Sequence, residues 1–142
     1  MQKIFAIMAL LGYVTPLTIA EGGVIELDDS DDFDAEISKH DITMVAFTAP
    51  WCGYCKALYP EYVKAAEALS PKYNLYRVDA IENTKLAEKF NINTFPTISW
   101  FKKGKYMGAY DHDRSAEHIE QHFEFKSWDQ SLYYTCDQIE QD

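Results

Sequence analysis

The chain has 142 residues, 47% of them apolar and 15% aromatic, which is enough for one domain with a packed core. Its net charge is −10, from 13 basic and 23 acidic residues, which argues against nucleic acid and anionic membrane surfaces as partners and favours solubility. Residues 1–20 read as a secretory signal peptide: Lys3 gives a positive start, Ile4 to Leu11 is an apolar run, and Thr18 and Ala20 stand three and one before a cut at Glu21. The other reading is an uncleaved anchor, but Gly12 and Pro16 break the run and leave it short for a span. Removing the leader takes away Lys3 and no acid, leaving 12 basic against 23 acidic residues, a net −11, and no membrane association. Export implies surroundings in which disulfides form.

Val24 to Leu27 is a short strand candidate. In the acidic run that follows, Asp28 to Asp32, Ser30 is placed to cap a helix whose first turn is acidic and whose apolar face holds Phe33 and Ile37. The run lacks the spacing of a calcium loop. Ile42 to Phe47 has the length and content of a buried strand. A long helical pattern starts at Cys55, with Leu58, Tyr62, Val63, Ala66 and Leu69 at helical spacing. Pro60 predicts a kink, and Ser70-Pro71 the end. Asn74 to Val78 reads as a strand and Asn83 to Phe90 as a short helix. Pro96 to Phe101 and Tyr106 to Tyr110 form a hairpin across Lys102-Lys103-Gly104-Lys105. Ser115 caps a last helix carrying Ala116, Ile119 and Phe123. The order β-α-β-α-β-α-β-β-α predicts an α/β domain, a central mixed β-sheet flanked by helices on both faces. We place that domain at residues 21–127, followed by an acidic and aromatic tail, residues 128–142, with Trp128, Tyr133, Tyr134 and Cys136.

The informative stretch is Trp51-Cys52-Gly53-Tyr54-Cys55, where a strand ends and a helix begins. The free N–H groups and positive end of a helix favour an anion, so Cys52 should ionise readily and be a good nucleophile. Cys55, one turn on, can close a small ring with it, which suits redox exchange. Two other readings stand beside this one. A structural disulfide is one. The other is a zinc site completed by His118 and His122, although the gap from Cys55 is far longer than in a zinc finger. Cys136 is the odd cysteine, a free thiol or one that pairs between chains or regulates the first two. His40, His112, His118 and His122 lack an evident triad partner.

Phe47-Thr48-Ala49-Pro50-Trp51-Cys52-Gly53-Tyr54-Cys55-Lys56-Ala57-Leu58, Pro60-Glu61-Tyr62, Val78-Asp79-Ala80, Phe95-Pro96-Thr97 and Lys102-Lys103-Gly104 occur in an order and spacing that resemble the protein disulfide isomerase family, with its thioredoxin fold, over residues 24–126. The resemblance implies a thiol–disulfide oxidoreductase or isomerase acting on unfolded or disulfide-containing proteins of the secretory pathway. Its redox group would be the Cys52–Cys55 disulfide itself, with no other cofactor and no metal. Cys52 would be the exposed attacking thiol and Cys55 the buried thiol that releases mixed disulfides. Gly53, Tyr54 and Arg114 would modulate the pair. Trp51, Phe95 and Pro96 would bind substrate, Pro96 through a cis peptide bond beside which an extended segment adds like a strand.

Three departures qualify this. Tyr54 replaces the usual histidine, so the pair should be less oxidising. Ala46 replaces the buried carboxylate that takes the second cysteine's proton, which leaves Arg77 without its usual partner and predicts slow release unless Arg114 or a water path compensates, relieved in Ala46→Glu. The chain ends Ile139-Glu140-Gln141-Asp142, not in a KDEL-type retrieval signal, so the expected address is the endoplasmic reticulum lumen or outside the cell. The alternative function is a redox-weak peptide-binding chaperone or client adaptor. The sequence sets no oligomeric state.

Overall fold

A computed structural model of the chain describes residues 21–124; the leader at 1–20, the tail at 128–142 and Cys136 lie outside the described residues. After a single turn of 3-10 helix at Glu21–Gly23 come β1 (Ile25–Glu26), α1 (Phe33–Ile37), β2 (Ile42–Thr48), α2 (Gly53–Leu69), β3 (Leu75–Asp79), α3 (Thr84–Lys89), β4 (Thr97–Lys102), β5 (Lys105–Ala109) and α4 (Ala116–Glu124). This is the anticipated order, with boundaries moved by a residue or two.

The sheet order is β1-β3-β2-β4-β5, with β1, β3 and β2 parallel and β2-β4-β5 antiparallel. β2 is central because its residues are apolar on both sides, as a strand covered on both faces requires. Met44 and Ala46 face Leu58, Tyr62, Ala65 and Ile119, the side of α2 and α4. Val45 and Phe47 face Phe33, Ile37 and Leu86, the side of α1 and α3. The helices on both faces follow from this alternation.

The hairpin turn takes left-handed backbone at Lys103 (φ 50°) and Gly104 (φ 78°), the geometry that matches the strand twist. Gly104 is required sterically as well, since a Cβ there would stand 2.3 Å from the Ser38 hydroxyl oxygen. α2 runs through Pro60 as one helix. Tyr62, 1% exposed, fixes it to the sheet by donating its hydroxyl to the carbonyls of Tyr76 (2.6 Å) and Met44 (3.2 Å). No helix among the described residues is long and apolar enough to cross a membrane.

The cap of α1 is Asp32, not Ser30: the Ala35 N–H donates to the Asp32 carboxylate at 3.2 Å. Ser30 instead donates from its N–H and hydroxyl to Asp28. Asp29 serves a different element, accepting the N–H groups of Lys85 (3.2 Å) and Leu86 (3.0 Å) in the first turn of α3. The acidic run therefore closes two helices and its own turn, which is where carboxylates are most useful to backbone donors.

Candidate active site

The C-terminal end of β2 runs through Ala49 and Pro50 into α2, whose first residue is Gly53. Cys52 is the N-cap: its sulfur accepts the Cys55 N–H at 3.1 Å, in the role usually taken by a serine or aspartate oxygen. The Cys52 N–H is held by the Ala49 carbonyl (3.2 Å) and the Lys56 N–H by the Cys52 carbonyl (3.2 Å). Both cysteines are free thiols.

Their acidities diverge. Burial pushes the Cys52 thiol up, but hydrogen bonds from the Cys55 thiol and from the Cys55 and Tyr54 N–H groups, with the positive field of Arg114, outweigh it and leave Cys52 below the ordinary thiol value. Burial raises Cys55 to about 11, and donating its own proton to the Cys52 sulfur adds to the shift. One thiolate is thus favoured at Cys52 while Cys55 keeps its proton.

The anticipated contrast of an exposed Cys52 with a buried Cys55 does not hold. Cys52 is 6% exposed and Cys55 7%, because both pack with Ala49 beneath the Phe95 ring. What separates the two thiols is the balance at each sulfur: hydrogen bonds and Arg114 outweigh burial at Cys52, whereas burial dominates at Cys55.

Trp51 is 68% exposed and meets Phe95 edge to face, with ring centroids 5.6 Å apart. The Phe95–Pro96 peptide is cis, as the resemblance implies. Pro96 itself is buried at the start of β4, so the accessible part of this wall is Trp51 and Phe95. Tyr54 projects outward at 76% exposure, and a Cβ on Gly53 would meet nothing within 4 Å.

Arg114 sits in the turn before α4, and two anchors hold that turn. The Tyr110 hydroxyl donates to the Asp113 carbonyl at 2.6 Å, and the Ala116 N–H donates to the Glu61 carboxylate of α2 at 2.8 Å. The Ala116 bond, with Lys64 nearby, holds Glu61 below the usual carboxylate range. The helix that carries the cysteines is therefore tied to the turn that carries the arginine.

Behind Cys55 lies an open cleft of about 1000 Å³. Its lining includes Cys55, Lys56 and Tyr59 of α2, the run Asp28 to Asp31, and the strand residues Glu26 and Arg77. The expectation that Arg77 lacks a partner is overturned. It makes an ion pair with Glu26, and Tyr59 stacks over its guanidinium at 4.7 Å. Alternation in the first strand carried this signal, since Val24 and Glu26 share a face opposite Ile25 and Leu27, and a charge on an inward position asks for a partner. Of the histidines considered for a metal, His118 bonds Ser115 and Asp113, and His122 lies buried between Trp100 and Tyr110. No group of three or more metal-ligating side chains occurs among the described residues.

A family profile described as Thioredoxin matches residues 24–124. The chain is 50% identical over 78 residues to bovine (Bos taurus) protein disulfide-isomerase A4, covering 53% of this chain and 12% of that one. It is 37% identical over 116 residues to chicken (Gallus gallus) protein disulfide-isomerase A3, covering 80% and 23%. The solution structure of the first thioredoxin domain of mouse protein disulfide-isomerase A4 superposes with a TM-score of 0.66 at 36% identity, covering 78% of this chain and 80% of that domain. The chain thus spans between 12 and 23% of the length of these curated relatives, about one domain of each. With the cysteine pair at the head of α2 and the five-stranded mixed sheet beneath it, the chain belongs to the thioredoxin family, as a domain of the protein disulfide isomerase kind.

Proposed function

We propose that the protein is a thiol–disulfide oxidoreductase, with disulfide isomerase activity, acting on unfolded or disulfide-containing proteins of the secretory pathway. The reading takes residues 1–20 as a leader, 21–127 as the redox domain and 128–142 as a tail. The observation that carries it is the inequality of two adjacent thiols: Cys52 caps the helix with a lowered pKa, while Cys55 is held protonated at about 11.

In the reductive direction the Cys52 thiolate attacks a substrate disulfide. One sulfur stays on Cys52 as a mixed disulfide and the other leaves as a thiolate. Cys55, once deprotonated, attacks the Cys52 sulfur. The Cys52–Cys55 bond forms, the substrate sulfur is expelled and takes up a proton, and two electrons have passed from the pair to the substrate. Reversal oxidises a substrate dithiol. Trp51 and Phe95 supply an apolar wall for an extended segment, with Pro96 setting the backbone beside it. Gly53 leaves the approach to Cys52 open, and Tyr54 contributes no cationic charge to the thiolate. Arg114 favours both thiolates. No further cofactor enters these steps.

The test is equilibration of the mature protein with glutathione buffers. A pair more oxidising than the luminal glutathione pool supports disulfide donation and isomerisation. A much lower potential makes it a reductase, and a pair that fails to cycle refutes the oxidoreductase reading.

Ala46, buried in the core where the resemblance implies a carboxylate, and the exposed Trp51 favour a second reading, a peptide-binding chaperone with slow redox turnover. A Cys52→Ala, Cys55→Ala double variant separates them, because a binder still protects clients from aggregation.

A further inference from the structure

Ala46, Arg77 and Glu26 form one row across the sheet: Ala46 of β2 is paired in register with Arg77 of β3, and Arg77 with Glu26 of β1. Register partners in parallel strands share a face, and this face is the one that α2 covers. The row lies under the helix whose first turn carries Cys55. At the position nearest the middle of the sheet the side chain is a methyl group, so the acid–base group of the row stands two strands away. Cys55, Arg77 and Glu26 all line the same open cleft.

Release of a mixed disulfide needs the Cys55 proton to go somewhere, and at about 11 bulk water takes it rarely at neutral pH. Resting on the oxidoreductase reading, we propose that Glu26, paired with the Arg77 on which Tyr59 stacks, accepts that proton through water in the cleft. The proton passes from the Cys55 thiol to the Glu26 carboxylate, the Cys55 sulfur bonds to Cys52, the bond from Cys52 to the substrate breaks, and the departing thiolate recovers a proton from the cleft.

The remaining acids of the cleft have other duties. Asp28 accepts from Ser30, Asp29 caps α3, Asp31 accepts the Asp28 N–H at 2.8 Å, and Asp79 accepts the N–H groups of Ile81 (2.9 Å) and Glu82 (3.3 Å). Glu82 lines the rim outside the row and serves as the comparison. The cations facing the cleft are Lys56 and Arg77, and Arg77 makes the ion pair with Glu26.

The test is release of a peptide thiol from a preformed Cys52 mixed disulfide in the full chain, followed by rapid mixing from pH 5 to 10. With Glu26 as acceptor, the rate reaches a plateau once a carboxylate is ionised. In Glu26→Gln it falls at least about tenfold at neutral pH and climbs steadily with pH towards about 11, as expected when hydroxide must do the work. Glu82→Gln keeps the plateau, Ala46→Glu restores it in the Glu26→Gln background, and alkylation of Cys52 is unchanged throughout. A plateau that survives in Glu26→Gln overturns the proposal, as does an equal fall in release and in Cys52 alkylation, which marks a structural role. If the unaltered protein never releases the peptide, it is the oxidoreductase reading that fails.

Discussion

On one side of Cys52 and Cys55 stands an exposed apolar ledge, Trp51 edge to face with Phe95; on the other lies a charged cleft whose lining includes the Arg77–Glu26 pair. The ledge offers area and shape, which suit a segment of another protein in whatever sequence it arrives. The cleft offers open space, a carboxylate and a guanidinium, which suit protons. The cysteine pair lies at the boundary, and its two thiols divide in the same sense: Cys52 is activated by helix donors and Arg114, Cys55 is silenced by burial. On the proposed mechanism, capture and release fall on different sides of a single turn of helix.

The largest effect expected from separating them is at the sulfurs. Cys52→Ser should reduce turnover to background, whereas Cys55→Ser should still capture and accumulate a mixed disulfide, visible on non-reducing gels. Equal loss of capture in both would break the division. Next comes the ledge: Trp51→Ala should weaken an extended peptide about tenfold, seen in KM or peptide titration, with release from a preformed mixed disulfide unchanged. A change in release instead would merge the two sides. Arg114→Gln should slow Cys52 alkylation by a factor of up to about five, the scale of an exposed charge interaction, and raise its midpoint.

The smallest is a stability signature of the reduced protein. Cys55 is raised, so its contribution is whole below the ordinary thiol value and is lost as pH climbs through about 11. Cys52 is lowered, so its contribution is present above the ordinary value and lost as pH falls through its folded one. Denaturant midpoints of the parent, Cys52→Ser and Cys55→Ser between pH 6 and 11 should show opposite slopes for the two.

The apolar runs made the sheet legible: Ile42 to Phe47 reads as a buried strand, and the alternation of strands and helical patterns pointed to a mixed sheet with helices on both faces, though not to its strand order. The ledge was legible too, since Trp51, Phe95 and Pro96 carry local signals. The cleft was not. Glu26 and Arg77 are 51 positions apart and meet only because β1 and β3 pair in parallel, a register that no local pattern encodes. Ser30 against Asp32 as the cap was a choice between two good acceptors two residues apart, decided by where Phe33 and Ile37 must point. Equal burial of the two cysteines depends on Phe95 folding over both, another contact made at long range.

The bonds from Asp29 to the first turn of α3 reach beyond local helix capping. β1 is only two residues long and lies at the edge of the sheet, the kind of strand that frays first. Because Asp29 follows it closely and grips Lys85 and Leu86, β1 cannot lift away without also loosening α3. The Asp28 to Asp31 segment and the neighbouring Glu26 then move together with α3, and hydrogen exchange at the Lys85 and Leu86 amides becomes a remote gauge of whether Glu26 is seated.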